Sequence, residues 1–370
     1  MGANGSGRTQ ATAGASPAAG AGSRVAWVDA AKGLSIVLVV LHHAVYFLDT
    51  SGLAPLPVVA GNEALASLRM PLFFLASGLF VAGPLAAPWR TLLHKRVAFF
   101  LWLYLLWTTI RFTFFATLVP EGVDPDDSAN PLNVLLALVL PGPSMWFLYA
   151  LALFSVVGKL LRPVPVAVQL AASGVLSAVA GAGLLEIDSR WVAICRFLFF
   201  FLLGWHAKRL VEGVARASNL PLVAAAAAVC VAAAGGAVAL GLRTAPGVAW
   251  LLNCLAVSFG VLFAGWITRY AIGRPLVALG RRTLPIYLIH MLPLALVVGA
   301  VRHLALPTAV AYALPFAMTA VLIGLSLAAQ KALVAAGGTW LFALPDRLAY
   351  RPASAAPARE PALAGRPPSG

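Results

Sequence analysis

The sequence predicts an all-α fold, a polytopic bundle of about ten transmembrane helices with both termini in the cytoplasm. Three observations lead there. Hydrophobic residues make up 61% of the 370 residues and charged residues 10%, with a mean hydropathy of +0.91; a soluble domain carries about 25% charged residues. Apolar runs near the ~20 residues that a bilayer requires recur along the chain. The basic residues fall almost entirely in alternate loops, the asymmetry that orients membrane helices.

Residues 1–23, rich in Gly, Ala and Ser, lack the apolar core of a signal peptide and read as a disordered tail. The membrane domain covers 24–345, and the Pro-, Ala- and Arg-rich stretch 346–370 reads as a second disordered tail. Ten apolar segments lie near 31–49, 64–83, 97–119, 145–161, 164–184, 191–207, 220–241, 247–268, 283–301 and 308–333. The run Pro131–Leu140 is too short to span and reads as interfacial or re-entrant. Cys195, Cys230 and Cys254 sit in apolar runs without pairing or metal spacing, so no metal site is expected.

With the N-terminus inside, the cytoplasmic segments hold Arg8, Arg24 and Lys32, then Arg90, Lys95 and Arg96, then Lys159 and Arg162, then Lys208, Arg209 and Arg216. Arg269, Arg274, Arg281, Arg282, Lys331 and the C-terminal arginines from Arg347 onward follow on the same side. The outer loops hold Arg190, Arg243 and Arg302 against acids that include Glu121, Asp124, Asp126, Asp127, Glu186 and Asp188. The net charge of +14 and pI near 10.6 are therefore a topology signal facing anionic lipid, not a nucleic-acid footprint.

The first span, WVDAAKGLSIVLVVLHHAVYFLD, carries the chemistry. Lys32 and His43 are eleven residues apart, three helical turns plus about 20°, so they share one face with His43 about 16 Å deeper. Asp29 lies within about 40° of that face, and His42 points about 100° away from His43 and reads as structural. Ionisable groups in a span are costly and face cavities rather than lipid, which makes them functional candidates.

Three arginines lie inside spans. Arg69, Arg111 and Arg196 all fall about 8–9 Å below the outer interface, and His43 about 13 Å below it. Four groups from four helices thus converge on one depth, with no Asp or Glu in a span at that level. Their counter-charge must come from loop acids, carbonyls, water or a bound anion.

The second span reads LRMPLFFLASGLF, in which Pro71 frees a backbone carbonyl and Ser77 and Gly78 allow close helix contact. Trp146 enters the fourth span within PGPSMWFLY, a level where tryptophan commonly marks the aromatic belt. The ninth opens GRRTLPIYLIHMLPL: Arg281 and Arg282 stand at its N-terminal end, and Tyr287 and His290 share one face about 10 Å from the cytoplasmic side.

These stretches, WVDAAKGLSIVLVVLHH, RMPLFFLASGLF, SMWFLYALALF, RFLFFFLLGW and LGRRTLPIYLIHMLPL, resemble the acyltransferase-3 family of integral membrane acyltransferases in order and spacing. The family signature of a basic residue, ten residues and a histidine is carried by Lys32 and His43, with lysine where many members have arginine. The chain looks like the stand-alone form, and its opening is most similar to the branch that modifies surface polysaccharides or lipid-linked sugars.

The resemblance implies transfer of an acetyl or other short acyl group from cytoplasmic acyl-CoA to a hydroxyl of an extracytoplasmic or lipid-linked glycan, in a bacterial plasma membrane. No permanently bound cofactor is expected. It implies His43 as base or acyl carrier, Arg69 or another intramembrane arginine as oxyanion or phosphate partner, and Lys32 as the contact for CoA phosphates, oriented by Asp29. Arg281 and Arg282 are second candidates for those phosphates. Tyr287 and His290 are expected along the donor path, and Arg111, Arg196 and Trp146 near the substrates. The competing class is a transporter or flippase for an anionic or lipid-linked sugar, which buried cations and a proline-broken helix also suit.

Overall fold

The computed structural model describes residues 25–126, 128–142 and 145–345. The expected terminal tails, Asp127, and Pro143 and Ser144 of PGPSMWFLY lie outside the described residues. Within them the regular secondary structure is helical, joined by turns and loops, with no strand. Each of the ten apolar segments forms a helix, so the protein is an all-α, multi-pass membrane protein.

Six helical stretches are long and apolar enough to cross a membrane. They are α1 (Ala26–Thr50), the stretch Leu56–Gly78 made of α2 (Leu56–Ala64) and α3 (Ala66–Gly78), α4 (Trp89–Leu118), α9 (Leu220–Ala239), α10 (Val248–Ile267) and α14 (Thr308–Ala335). Counting each of two bent pairs as one span gives eight among the described residues. The pairs are α7 (Ser189–His206) with α8 (Lys208–Ala217), bent by 82°, and α12 (Thr283–Ile289) with α13 (Met291–Val301), bent by 44°. The expected fourth and fifth spans are α5 (Trp146–Leu160) and α6 (Val166–Gly181), at 15 and 16 residues. At 1.5 Å per residue they are shorter than a full crossing, and Pro163 and Pro165 keep them from extending through their junction. The second apolar segment starts earlier than 64, because α2 continues the stretch back to Leu56.

α1 lies at the centre. Ala31, Ile36, Val40, Ala44, Phe47 and Leu48 have no accessible surface, and the helix packs against α3, α10, α12, α14 and the short α11 (Arg274–Gly280). Glycine makes the tightest of these contacts possible. A Cβ at Gly33 would strike the carbonyl of Leu276, and one at Gly280 would strike the carbonyl of Asp29. α3 and α7 touch in the same way, since a Cβ at Gly78 would meet the Phe201 carbonyl and one at Gly204 the Leu75 carbonyl. Small residues are what allow membrane helices, which gain nothing from hydrophobic exclusion, to gain backbone-level packing.

The break between α12 and α13 also follows from sequence. Pro293 has no N–H to offer the Ile289 carbonyl four residues earlier, so the ladder is interrupted at His290. That break places a histidine at a bend in the bundle interior. Gly280→Ala is expected to push α11 off α1 and destabilise the protein by about 1–3 kcal/mol. Gly324→Ala, where an added Cβ meets open space, serves as the control; thermal melting in detergent measures both.

Candidate active site

His43 turns inward, toward the α12–α13 bend. Its Nδ1 lies 3.1 Å from His290 Nε2, with ring centroids 5.0 Å apart. His290 has no accessible surface, and its Nδ1 lies 2.9 Å from the Ile286 carbonyl. A carbonyl can only accept, so His290 Nδ1 carries the proton and, in the neutral ring, Nε2 offers a lone pair. That lone pair accepts from His43 Nδ1–H, which leaves the lone pair of His43 on Nε2. This atom makes no hydrogen bond among the described residues, and His43 keeps partial exposure. The carbonyl and second imidazole thus fix ring and tautomer, the role a carboxylate plays behind the histidine of a serine hydrolase.

His42 is held in the opposite tautomer. Asn62 Nδ2 lies 3.1 Å from His42 Nδ1, while Asn62 Oδ1 accepts from Arg69 Nη1 at 2.9 Å. Arginine only donates, so the amide oxygen must face Arg69 and the NH2 group must face His42. His42 Nδ1 therefore accepts, and its proton sits on Nε2. The two neighbouring rings, 5.2 Å apart, present a lone pair and an N–H at the same ring position.

The cations are accommodated in different ways. Arg69, 7% exposed, also donates to the Asn62 carbonyl at 3.2 Å. Arg111, 3% exposed, pairs with Asp126 at 3.0 Å and Asp124 at 3.7 Å, and its guanidinium lies over the Phe115 ring. The loop acids fold back into the acidic end of the bundle, where the Asp124 carboxylate also accepts from the backbone N–H of Asp126 and of Ser128. Both Arg69 and Arg111 lie within electrostatic reach of His43.

Arg196 stands apart from this group. It lies over Phe197 at 5.7 Å, and its buried Nε has no partner among the described residues. Trp146 packs on the same Phe197 and on Phe74, so these two candidates form an aromatic group on α5, α7 and α3.

At the basic end, a cleft of about 290 Å³ is lined by Lys32, Arg96, Phe80, Phe147, Thr283 and Tyr287, among others. Lys32 and Lys208 sit over the same Phe80 ring at 5.5 and 5.2 Å, and Arg96 is steadied by donating to Ser155 Oγ at 2.8 Å. Tyr287, 4% exposed, forms the inner wall, with its ring 6.3 Å from that of His290. The sequence of groups inward is cleft, Tyr287, His290, His43.

Two expectations need correction. Asp29 does not bond Lys32; its carboxylate accepts from Arg281 Nε at 2.9 Å, because α11 brings Arg281 against the first turn of α1. Arg282 is exposed beside it. His290 is not offset in depth from His43 but touches it. Counting rise along each helix from its own assumed membrane edge ignores tilt and the bend at His290.

Sequence reasoning missed Asn62, which lies seven residues and nearly two full turns before Arg69, a spacing that puts both on one face. It also counted Arg96 and Lys208 only toward orientation, since nothing along the chain shows that they meet Lys32.

A histidine pair with a directed lone pair, lying inward of a cation-lined aromatic cleft, is an arrangement that an integral membrane acyltransferase can use. The comparisons agree: a family model described as an acyltransferase domain, that of the acyltransferase-3 family, matches residues 25–329, and the chain belongs to this family. The protein is therefore a multi-pass membrane protein with an acyltransferase-3 family domain. It is similar to the inner membrane protein YcfT of Escherichia coli (strain K12), 29% identical over 36% of this chain and 43% of that protein. The chain thus spans less than half the length of the curated relative it matches. No solved structure shows a significant match.

The relay has a direct test. His290→Gln supplies a side-chain oxygen that accepts from His43 Nδ1 and is expected to keep most of kcat. His290→Leu leaves that N–H unpaired and is expected to lower kcat about 10²-fold. Equal loss in both variants would remove the assignment.

Proposed function

We propose that the protein transfers an acetyl or other short acyl group from acyl-CoA, entering at the basic end, to a hydroxyl of a glycan or lipid-linked sugar presented at the acidic end. The observation that carries this reading is the free Nε2 lone pair of His43, directed by His290 and the Ile286 carbonyl.

In this mechanism His43 Nε2 accepts the hydroxyl proton as the acceptor oxygen attacks the thioester carbonyl carbon. The tetrahedral intermediate collapses with cleavage of the C–S bond, and the proton passes from His43 to the departing sulfur, so the imidazole ends neutral. Negative charge on the carbonyl oxygen is met by Arg69 and by the Nε2–H of His42, donors fixed in place before reaction. An acyl-His43 intermediate would use the same lone pair.

The cleft supports the donor assignment. Lys32, Arg96 and Lys208 supply three positive charges for CoA phosphates, and the aromatic walls suit the apolar stretch between phosphates and thioester. Lys32 and Arg96 line the cleft itself and rank first; Lys208 reaches Glu212 at 3.9 Å, Arg281 is paired with Asp29, and neither they nor Arg282 line it. At the other end Arg111 and the Asp124–Asp126 loop border the acceptor side. The basic end faces the cytoplasm in this reading, which places both termini inside a bacterial plasma membrane; the charge asymmetry of the loops supports it.

Labelled acetyl-CoA and membranes from an expressing strain provide the assay. His43→Ala is expected to lower transfer about 10²–10⁴-fold, and a wild-type rate in that variant ends the proposal. Lys32→Ala and Arg96→Ala are each expected to raise KM for acetyl-CoA about tenfold with a smaller change in kcat, the signature of lost uniform binding.

A further inference from the structure

The cation-lined cleft does not end at Arg96. A second cleft, also of about 290 Å³, lies against it and is lined by Pro84, Ala87, Thr91, Leu92 and Lys95. The two share Arg96, Phe99 and Phe100, so one guanidinium and two rings stand where they meet. The second cleft has no role in the transfer described above.

Its walls are fixed from within the protein. Residues 93–97 of α4, LHKRV, form a π-turn, a widened turn that recurs at functional sites. It carries two consecutive cations, Lys95 and Arg96, and both line the cleft. Arg96 donates from Nε to Ser155 Oγ at 2.8 Å and lies over the Phe100 ring at 5.3 Å. Lys159 donates to the carbonyls of Leu85 and Ala87 at 2.8 and 2.6 Å, which pins the segment that supplies Pro84 and Ala87.

The cations at this end differ in what they already bond. Lys208 reaches Glu212 and Arg281 reaches Asp29, whereas Lys95 is exposed and has no carboxylate at ion-pair distance among the described residues. A free ammonium and a guanidinium beside phenyl rings match a ligand that carries phosphates and a flat base. The donor of the proposed reaction has two parts of unlike character. One is a pantetheine arm ending in the thioester, the other a nucleotide with a phosphate on its ribose, and a diphosphate joins them. Two clefts that meet at Arg96 repeat that division.

We propose that the cleft beside the π-turn seats the nucleoside bisphosphate end of the donor, with Lys95 on the 3′-phosphate, Arg96 on the diphosphate at the junction and the base against Phe99. The inference rests on the acyl-transfer reading and adds a nucleotide subsite to it. It makes Lys95 the residue that distinguishes coenzyme A from its 3′-dephospho form, a role beyond setting orientation in the membrane.

The test reads binding to the full chain in detergent, with 8-azidoadenosine 3′,5′-bisphosphate as photoprobe. Labelling is expected on peptides within residues 84–100. Coenzyme A is expected to displace the probe about tenfold better than 3′-dephospho-coenzyme A. Lys95→Ala, at an exposed position, is expected to erase that preference, and Lys95→Arg to retain it. Thr91→Phe fills the cleft from its lining and is expected to lower labelling about tenfold while the elution profile stays that of the wild type.

Labelling elsewhere, an undiminished preference for the 3′-phosphate in Lys95→Ala, or displacement of the probe by phosphatidylglycerol as effective as that by coenzyme A would overturn the proposal. Acetyl transfer with the same KM for acetyl-CoA and its 3′-dephospho form would reject the subsite and leave the acyl-transfer reading standing. Labelling as expected in a protein that transfers no acetyl group would uphold the nucleotide subsite and reject the acyl-transfer reading instead.

Discussion

One hydrogen bond organises the site: His43 Nδ1–H to His290 Nε2. A histidine in hydrocarbon can put its lone pair on either nitrogen, and only one choice gives a directed base. The bond makes that choice, and it exists because Pro293 interrupts a helix at the level where α1 brings His43. Glycine contacts between α1 and α11 hold the two partners in register. The tautomer of a single ring therefore depends on a proline three residues beyond His290 and on two distant glycines, Gly33 in α1 and Gly280 at the end of α11.

The same economy applies to the cations. Each buried guanidinium would be costly in lipid, and each is given a different compensation. Arg69 has an amide and a carbonyl, Arg111 has two loop carboxylates, and Arg196 has an aromatic face. Among the described residues Arg111 is the one of the three with carboxylates at ion-pair distance, while Glu63 acts on Arg69 from further off. The field around His43 thus stays positive on the Arg69 side, the side on which negative charge develops in the proposed reaction.

Much of this was readable in the chain. The apolar segments and the shared helical face of Lys32 and His43 follow from helical periodicity and rise, which are local properties. Segment length was less legible: α5 and α6 look continuous by hydropathy but are shorter than a crossing. Contacts between distant elements were not legible at all. Nothing in the order of residues shows that Asp29 turns to Arg281, or that His290 meets His43 across more than 240 positions. Asn62 sat at the edge of a segment whose helix begins earlier than its hydropathy, so its role was hidden by a boundary and not by its chemistry.

Inward of the cation-lined cleft at the basic end come Tyr287 and His290, both buried, with His43 beyond them. That column of rings works as a gasket. A membrane protein that carries ionisable groups through its interior risks becoming a leak for ions and protons. Tyr287 and His290 leave almost no accessible surface between the cleft and His43, so a reactant entering from the cleft has to move those rings aside.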